Sequence, residues 1–369
     1  MESSAPVGAS RSGSDGRIGV AVVGLGIGRL HYISLAELGD RYRVVAVCDL
    51  DEERAVEVAG WLRDVRPVTS LDDVLVMDEV EVVVLCTPPH LHADQIARCV
   101  RAGRDVVCEK PLVGSVRAVD DLMALEQETG RTIVPVFQYR FGRGLQRLRA
   151  LVESGRTGRP YVATVDVAWQ RGRDYYEEAA WRGRWATELG GTVTVHAQHH
   201  IDMVVHVLGP PASVWATTST IVNEGIETED CAAVVLRYAD GSLVTLSATT
   251  GSAAEISRMR FCFEHLTAES STGAYTPGAE PWTWTAADPE GQADLDAFLA
   301  DQPERTEDFV GLFERYADAR ATGAPLPVTL SEARTVLEVL TAVYVSSRSG
   351  HEVALPLAAD DPALDGWQP

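Results

Sequence analysis

Between Ile18 and about Pro135 the chain alternates runs rich in β-branched residues with helical stretches, and this alternation restricts the fold more than any other feature. "IGVAVVG", "YRVVAVCD", "EVVVLCTP", "RDVVCEKP" and "TIVPVFQYR" read as strands. "RLHYISLAELGD", "EERAVEVAGWLRD", "LHADQIARCVRAG" and "SVRAVDDLMALEQETG" read as the helices between them. Strands apolar on both faces belong in a parallel sheet with helices packed on each side. The spacing predicts a doubly wound Rossmann-type α/β domain over residues 17–137, after a disordered tail at 1–16.

Beyond about Gln138 the rhythm changes. A helix, "LQRLRALVESG", precedes "PYVATVDVAWQ", "ASVWATTSTIV", "CAAVVLRYA", "SLVTLSATT" and "RMRFCFEH". These runs are rich in Thr and Val and partly alternate, as antiparallel strands with one exposed face do. A hairpin is expected at Asp240–Ser242. Ser270–Gly291 reads as a loop, and a last helix starts after Pro327. Residues 138–369 form the expected second α/β domain.

The 369 residues suffice for two domains, and the hydrophobic fraction of 46% supplies a core. A formal net charge of −22 opposes binding to nucleic acid or anionic membranes. No apolar run is long enough to span a bilayer. The stretch "MESSAPVGASRSGSDGR" lacks the apolar segment of a secretory signal and is poor in the arginines of a transit peptide. None of the six cysteines forms a CxxC pair, which favours reduced thiols in a cytoplasmic protein over a disulfide framework or zinc site.

"VAVVGLGIGRLHY" carries a strand into a glycine turn and then a helix. Glycines let the backbone approach a pyrophosphate, and the helix N-terminus supplies N–H donors. Gly24, Gly26 and Gly28 are spaced G-x-G-x-G, one residue short of the usual fingerprint. Leu25 and Ile27 complete the candidate cofactor turn. Asp49 ends the next strand and is placed to bind the ribose diol; its charge favours NAD over NADP. Lys110 follows the fourth strand, at the end where ligands bind in such sheets. A surface lysine whose strand is stopped by Pro111 explains that position equally well.

"GLGIGRLH", "CTPPHLHADQIARCVRAGRDVVCEKPL" and "GG…HAQHHID" together resemble the Gfo/Idh/MocA oxidoreductases, the family of glucose–fructose oxidoreductase and inositol dehydrogenase. The resemblance extends through "QYRF" and the C-terminal "EARTVLEVLTAVYVSSRSGHEVALPL". It implies a Rossmann domain followed by an α/β domain with a large, mostly antiparallel sheet, often a homo-oligomer interface, here of a dimer or tetramer. It further implies a catalytic role for Lys110 and a nicotinamide pocket shaped by Glu109 and Pro111, with a cis peptide common between Lys110 and Pro111. Thr87, Pro88 and His92 are implied at the cofactor.

"GGTVTVHAQHHIDMVVH" holds His196, His199, His200, His206 and Asp202. A helix starting near His196 would place His196, His199 and Asp202 on roughly one face. A metal site lacks an evident fourth ligand. A structural role at a buried helix start and a general-base role remain. The resemblance favours the general base and places it at His199, with Asp202 completing H-x-x-D. A one-residue shift in register would move it to His200. In this register the family's preceding aspartate falls on Val195, and His196 stands beside the gap as a candidate relay.

Tyr139 and Arg140 are expected at the border of the substrate pocket, although an ion-pair role suits Arg140 equally well. Trp181 and Trp185, in "RDYYEEAAWRGRW", are candidates to stack on a sugar ring. The expected enzyme uses NAD, or NADP, to oxidise or reduce a secondary alcohol of a sugar, cyclitol or glycoside, with no metal. The alternatives are a glycoside-cleaving enzyme that oxidises transiently and then eliminates, and a non-catalytic dinucleotide-binding regulator.

Overall fold

The computed structural model describes residues 16–369, so the expected disordered tail lies, but for its last residue, outside the described chain. Its contacts divide the chain into two units. Of the described residues, one comprises 16–136 and 309–334, and the other 137–308 and 335–369.

In the first unit β1 (Ile18–Val23), β2 (Tyr42–Cys48), β3 (Arg66–Val68), β4 (Val82–Leu85), β5 (Asp105–Cys108) and β6 (Ile133–Pro135) form one sheet. The order is β3-β2-β1-β4-β5-β6, and every neighbouring pair is parallel. Helices α1 (Gly28–Glu37), α2 (Glu52–Ala59), α3 (Leu71–Leu75), α4 (His92–Arg101) and α5 (Val116–Thr129) connect the strands. Burial explains the valine-rich runs: residues 20–23, 82–85, 106 and 107 lie almost wholly out of solvent. The strand order reverses between β1 and β4, so the carboxyl ends of these strands open a crevice. β3 and α3 are too short for a clear periodic signal.

The sequence reading did not anticipate the return of residues 309–334 to this unit. The helix Asp308–Thr322 aligns Phe309, Phe313 and Tyr316 on one buried face. Tyr42 donates its hydroxyl to the Phe313 carbonyl at 2.7 Å. Arg320 is paired with Glu81 at 2.8 Å and Asp105 at 3.2 Å.

The second unit is built on an eight-stranded sheet ordered β13-β12-β11-β7-β10-β9-β8-β14. Its strands are β7 (Pro160–Gln170), β8 (Ser213–Ser219), β9 (Cys231–Arg237), β10 (Leu243–Thr249), β11 (Gly251–Phe263), β12 (Leu266–Glu269), β13 (Thr283–Ala286) and β14 (Val353–Ala354). Only β7 and β10 pair in parallel. Along β10, Val244, Leu246 and Ala248 are buried while Leu243, Thr245 and Ser247 are exposed, which is the alternation of a sheet covered on one face. The β9–β10 hairpin turns at Gly241 with φ +88°. Residues 270–291 are not all loop, because β13 lies within them. Helices α6 (Arg143–Glu153) and α7 (Gln198–Leu208) belong to this unit. Among the described residues no helix is long and apolar enough to cross a membrane.

Candidate active site

The glycine turn joins β1 to α1. Gly24 has φ +88°, and a Cβ there would stand 2.6 Å from the Cys86 carbonyl oxygen, so only glycine fits. A Cβ on Gly28 would press on Val22 at 3.1 Å, whereas Gly26 faces open space. No side chain caps α1 and no acidic residue occupies its first turn. Its first N–H groups are therefore available to an anion. Asp49 follows β2. Its carboxylate accepts the Leu25 N–H at 2.8 Å and the Asp51 N–H at 3.0 Å, with the Arg54 guanidinium 3.4 Å away. An open glycine, an uncapped helix and a carboxylate tied to the turn fit a dinucleotide. The shortened G-x-G-x-G spacing retains these features.

At the neighbouring strand ends, Thr87 follows β4 and donates its hydroxyl to Gln95 at 2.5 Å. Pro88 leads into a turn of 3-10 helix at Pro89–Leu91. His92 opens α4 and is fully buried. Its Nδ1 lies 2.9 Å from the Pro111 carbonyl oxygen and its Nε2 2.8 Å from that of Thr87. Burial pulls its pKa down, while the two carbonyls and Glu109 act in the opposite direction. Glu109 is buried as well. Its Oε1 is 2.8 Å from His31 Nε2, and its Oε2 accepts the Lys110 N–H at 3.1 Å. Burial raises the Glu109 pKa, but His31 and Lys110 outweigh it and hold the carboxyl below its ordinary value. The Lys110–Pro111 peptide is cis. Cys86 and Cys108 flank these strand ends, and burial pushes both thiols well up, away from the reactive thiolate.

In the second unit the histidine segment departs from a regular helix. Val193–Ala197 is a π-helical turn, and α7 begins only at Gln198. His196 lies in the wider turn, whereas His199 and Asp202 are three apart within α7. His196 packs edge-on against Trp169, with ring centroids 4.9 Å apart, whereas His199 lies against Tyr139 at 4.5 Å. His200, the other candidate in the register, is fully buried, and burial lowers its pKa to about 4. It is therefore neutral near pH 7. Val195 is partly exposed.

Arg140 and Asp202 meet each other in a buried ion pair, 2.6 Å at its shorter contact. The geometry thus supports the ion-pair reading of Arg140 and gives Asp202 the same partner. Trp185 donates Nε1–H to the Glu227 carbonyl at 2.8 Å and packs edge-on against Tyr344. The Arg182 guanidinium lies 5.5 Å from the Trp181 ring. Neither tryptophan lines a cavity of about 1080 Å³ in this unit, which is walled by Arg171, Tyr176, Arg182, Arg184, Asn223 and Thr250 among others. Arg171 also stacks over Trp169 and Tyr175, and both of these rings touch His196. Among the described residues no cluster of His, Cys, Asp and Glu could hold a metal ion.

Sequence reasoning passed over Glu229. Its carboxylate accepts the Gly191 N–H at 3.0 Å, the Val193 N–H at 2.9 Å and the Tyr344 hydroxyl at 2.9 Å. It thereby anchors the start of the histidine segment. A Cβ on Gly191 would fall 1.9 Å from the Glu229 carbonyl oxygen, which explains the second glycine of the "GG" pair. Burial raises the Glu229 pKa to about 7, against the opposing pull of its N–H and hydroxyl donors. No local pattern in sequence links residue 229 to residue 191.

Residues 18–137 match the model of an oxidoreductase family with an NAD-binding Rossmann fold, GFO_IDH_MocA, and residues 145–269 match the GFO/IDH/MocA C-terminal domain. The scyllo-inositol 2-dehydrogenase (NADP(+)) IolW of Bacillus subtilis is 24% identical over 354 residues, 92% of this chain and 96% of the relative. Myo-inositol 2-dehydrogenase of Thermotoga maritima is 28% identical over 229 residues, 61% of this chain and 66% of the relative. Among solved structures, the WlbA dehydrogenase from Bordetella pertussis, in complex with NADH and UDP-GlcNAcA, is 28% identical. It superposes with a TM-score of 0.81 over 93% of this chain and 100% of its own. With both domain models matched, and the glycine turn and its acid in place, the chain belongs to the Gfo/Idh/MocA family of oxidoreductases, and its first unit is the family's NAD-binding Rossmann domain.

Proposed function

We propose that this oxidoreductase transfers a hydride between nicotinamide C4 and the carbinol carbon of a sugar, cyclitol or glycoside secondary alcohol. The observation that carries the reading is the Glu109–Lys110–Pro111 turn at the carboxyl end of β5, with both Glu109 oxygens engaged and the Lys110 peptide fixed. In the oxidation direction, the Lys110 ammonium donates a hydrogen bond to the substrate oxygen and offsets the negative charge that builds there. His199 accepts the hydroxyl proton. His196 is the candidate to stand in for the aspartate that Val195 replaces. When bound, the nicotinamide supplies the acceptor for the electron pair that leaves with the hydride.

Asp49 supports NAD as the preferred cofactor, and Gly24, Leu25, Gly26, Ile27 and Gly28 supply the turn that would hold its pyrophosphate. The cavity of about 1080 Å³ exceeds the needs of a single sugar ring. Arg171, Arg182 and Arg184 in its wall are paired with Glu255, Glu178 and Glu227. UDP-linked sugars, the class bound in the similar WlbA dehydrogenase structure, join sugars, inositols and glycosides among the candidates. The open face of the large sheet supports a homo-oligomer, and cysteines that are all free suit a cytoplasmic setting.

A spectrophotometric screen of these alcohols with NAD and with NADP tests the reading. Net formation of reduced cofactor with a polyol supports a dehydrogenase. Cleavage of a glycoside without net reduction supports the transient-oxidation mechanism instead. Cofactor binding with no turnover on any polyol supports a regulator.

A further inference from the structure

Lysine is a poor choice where position matters, because its ammonium hangs on a flexible four-carbon stem. A lysine that must meet one substrate oxygen needs its own backbone held still. The first unit does this from both sides. On the amino side, the Glu109 carboxylate accepts the N–H of Lys110 itself, at 3.1 Å. That carboxylate is in turn gripped by His31 Nε2 at 2.8 Å. His31 lies on α1, the helix that leaves the glycine turn, and has no exposed surface. Its ring packs against Phe309 at 4.3 Å and Phe313 at 5.7 Å, which fixes its direction. On the carboxyl side, the next carbonyl along, that of Pro111, faces His92 Nδ1 at 2.9 Å, and the opposite nitrogen of the same ring faces the Thr87 carbonyl at 2.8 Å.

As a neutral ring His92 carries one N–H, and with that N–H on Nδ1 it donates to the Pro111 carbonyl and ties the turn after β5 to the start of α4. Neither contact is needed merely to fill space, since a leucine or methionine would pack more cheaply than a buried polar ring. We propose that His31 and His92 are positioning residues for Lys110, one acting through the Glu109 carboxylate and the other through the Pro111 carbonyl. They touch neither substrate nor the reacting atoms. Their role rests on the reading of Lys110 as the group that holds the substrate oxygen.

The test compares His31→Met, which keeps the bulk and removes the donor, with His31→Gln, which restores a donor near the Nε2 position, and adds His92→Leu. All are assayed beside Lys110→Met, with NAD and the alcohol that gives the highest turnover in the screen. The expected result is a fall in kcat of about 10-fold to 100-fold in His31→Met and His92→Leu. In His31→Met, KM and the Kd for NAD should stay within about 2-fold of the parent values, a shift worth about 0.4 kcal/mol. His31→Gln should recover most of the lost kcat. If His31→Met does not fold, His31→Gln is compared with His31→Asn, an amide with shorter reach, and the proposal expects kcat to fall in the second only. Folded His31→Met and His92→Leu with full kcat, beside an inactive Lys110→Met, would overturn the proposal. So would equal kcat in the two amide variants, or a loss of NAD affinity that accounts for the whole effect. Full activity in Lys110→Met would instead overturn the reading of Lys110 on which the proposal rests.

Discussion

Arg140 and Asp202 form a bidentate ion pair, with Nε to Oδ2 at 2.8 Å and Nη2 to Oδ1 at 2.6 Å, and their side chains are 2% and 1% exposed. The pair ties the turn after β6 to α7, one helical turn beyond His199. Removing one partner leaves a buried charge without its counter-ion. Asp202→Ala or Arg140→Ala should therefore cost about 3–5 kcal/mol. Urea denaturation of the purified variants measures this; a cost below about 1 kcal/mol would show that the pair is solvated and incidental.

Asp49 and Arg54 make opposite demands on the cofactor. The carboxylate repels a 2′-phosphate, and the guanidinium 3.4 Å from it attracts one. Asp49→Ala should weaken NAD binding by about 10-fold, or about 1.4 kcal/mol, and strengthen NADP binding. Arg54→Ala should act chiefly on NADP, weakening it. Fluorescence titration with each cofactor reads both effects. Unchanged selectivity in Asp49→Ala would place the ribose elsewhere.

Much of the first unit is legible in the sequence because its strands are buried on both faces and so remain unbroken Val-rich runs. The glycine turn and the Glu109–Lys110–Pro111 turn are visible as short contiguous motifs at strand ends, although the residues that hold them, Asp49, Cys86 and His31, lie far along the chain. The return helix is not. Its signal is three aromatics within "DFVGLFERYADARAT", a sequence polar enough to pass for a surface segment. The histidine segment is legible in residue types but not in facing. The π turn at Val193–Ala197 inserts extra length into the helix, so His196 and His199 turn to different aromatic partners. Glu229 and the arginine-walled cavity depend on contacts between distant strands and loops, and no local period encodes those.

Two buried groups near the histidine segment oppose each other in pH dependence. Glu229 has its pKa raised from 4.5 to about 7, so its contribution to stability is present below pH 4.5 and is lost as pH rises through 7. His200 has its pKa lowered from 6.5 to about 4, so its contribution is present above pH 6.5 and is lost as pH falls toward 4. Each spans about 3 kcal/mol, and between pH 4.5 and 6.5 they offset one another. Denaturation across pH 4–8.5 should show His200→Leu losing less stability on the acid side than the parent. Glu229→Gln should lose less on the alkaline side. Parallel pH profiles in all three proteins would contradict this assignment.

The open face of the eight-stranded sheet presents Trp215 at 44% exposure and Leu243 at 39%. Apolar groups of this size on a flat sheet face favour a second copy of the chain. Sedimentation equilibrium should give a dimer or tetramer for the parent, and Trp215→Arg combined with Leu243→Arg should shift it toward monomer. A parent protein that stays monomeric throughout would remove this face as an interface.

The role of Lys110 is tested most directly by a single turnover. Lys110→Ala is mixed with saturating NAD and the alcohol identified by the screen, and NADH formation is followed beside the parent. Loss of the ammonium that offsets the developing charge should slow the hydride step by about 100-fold to 1000-fold while NAD still binds. A single-turnover rate within about 2-fold of the parent, well under 1 kcal/mol in the barrier, would mean that the substrate oxygen is held by another group.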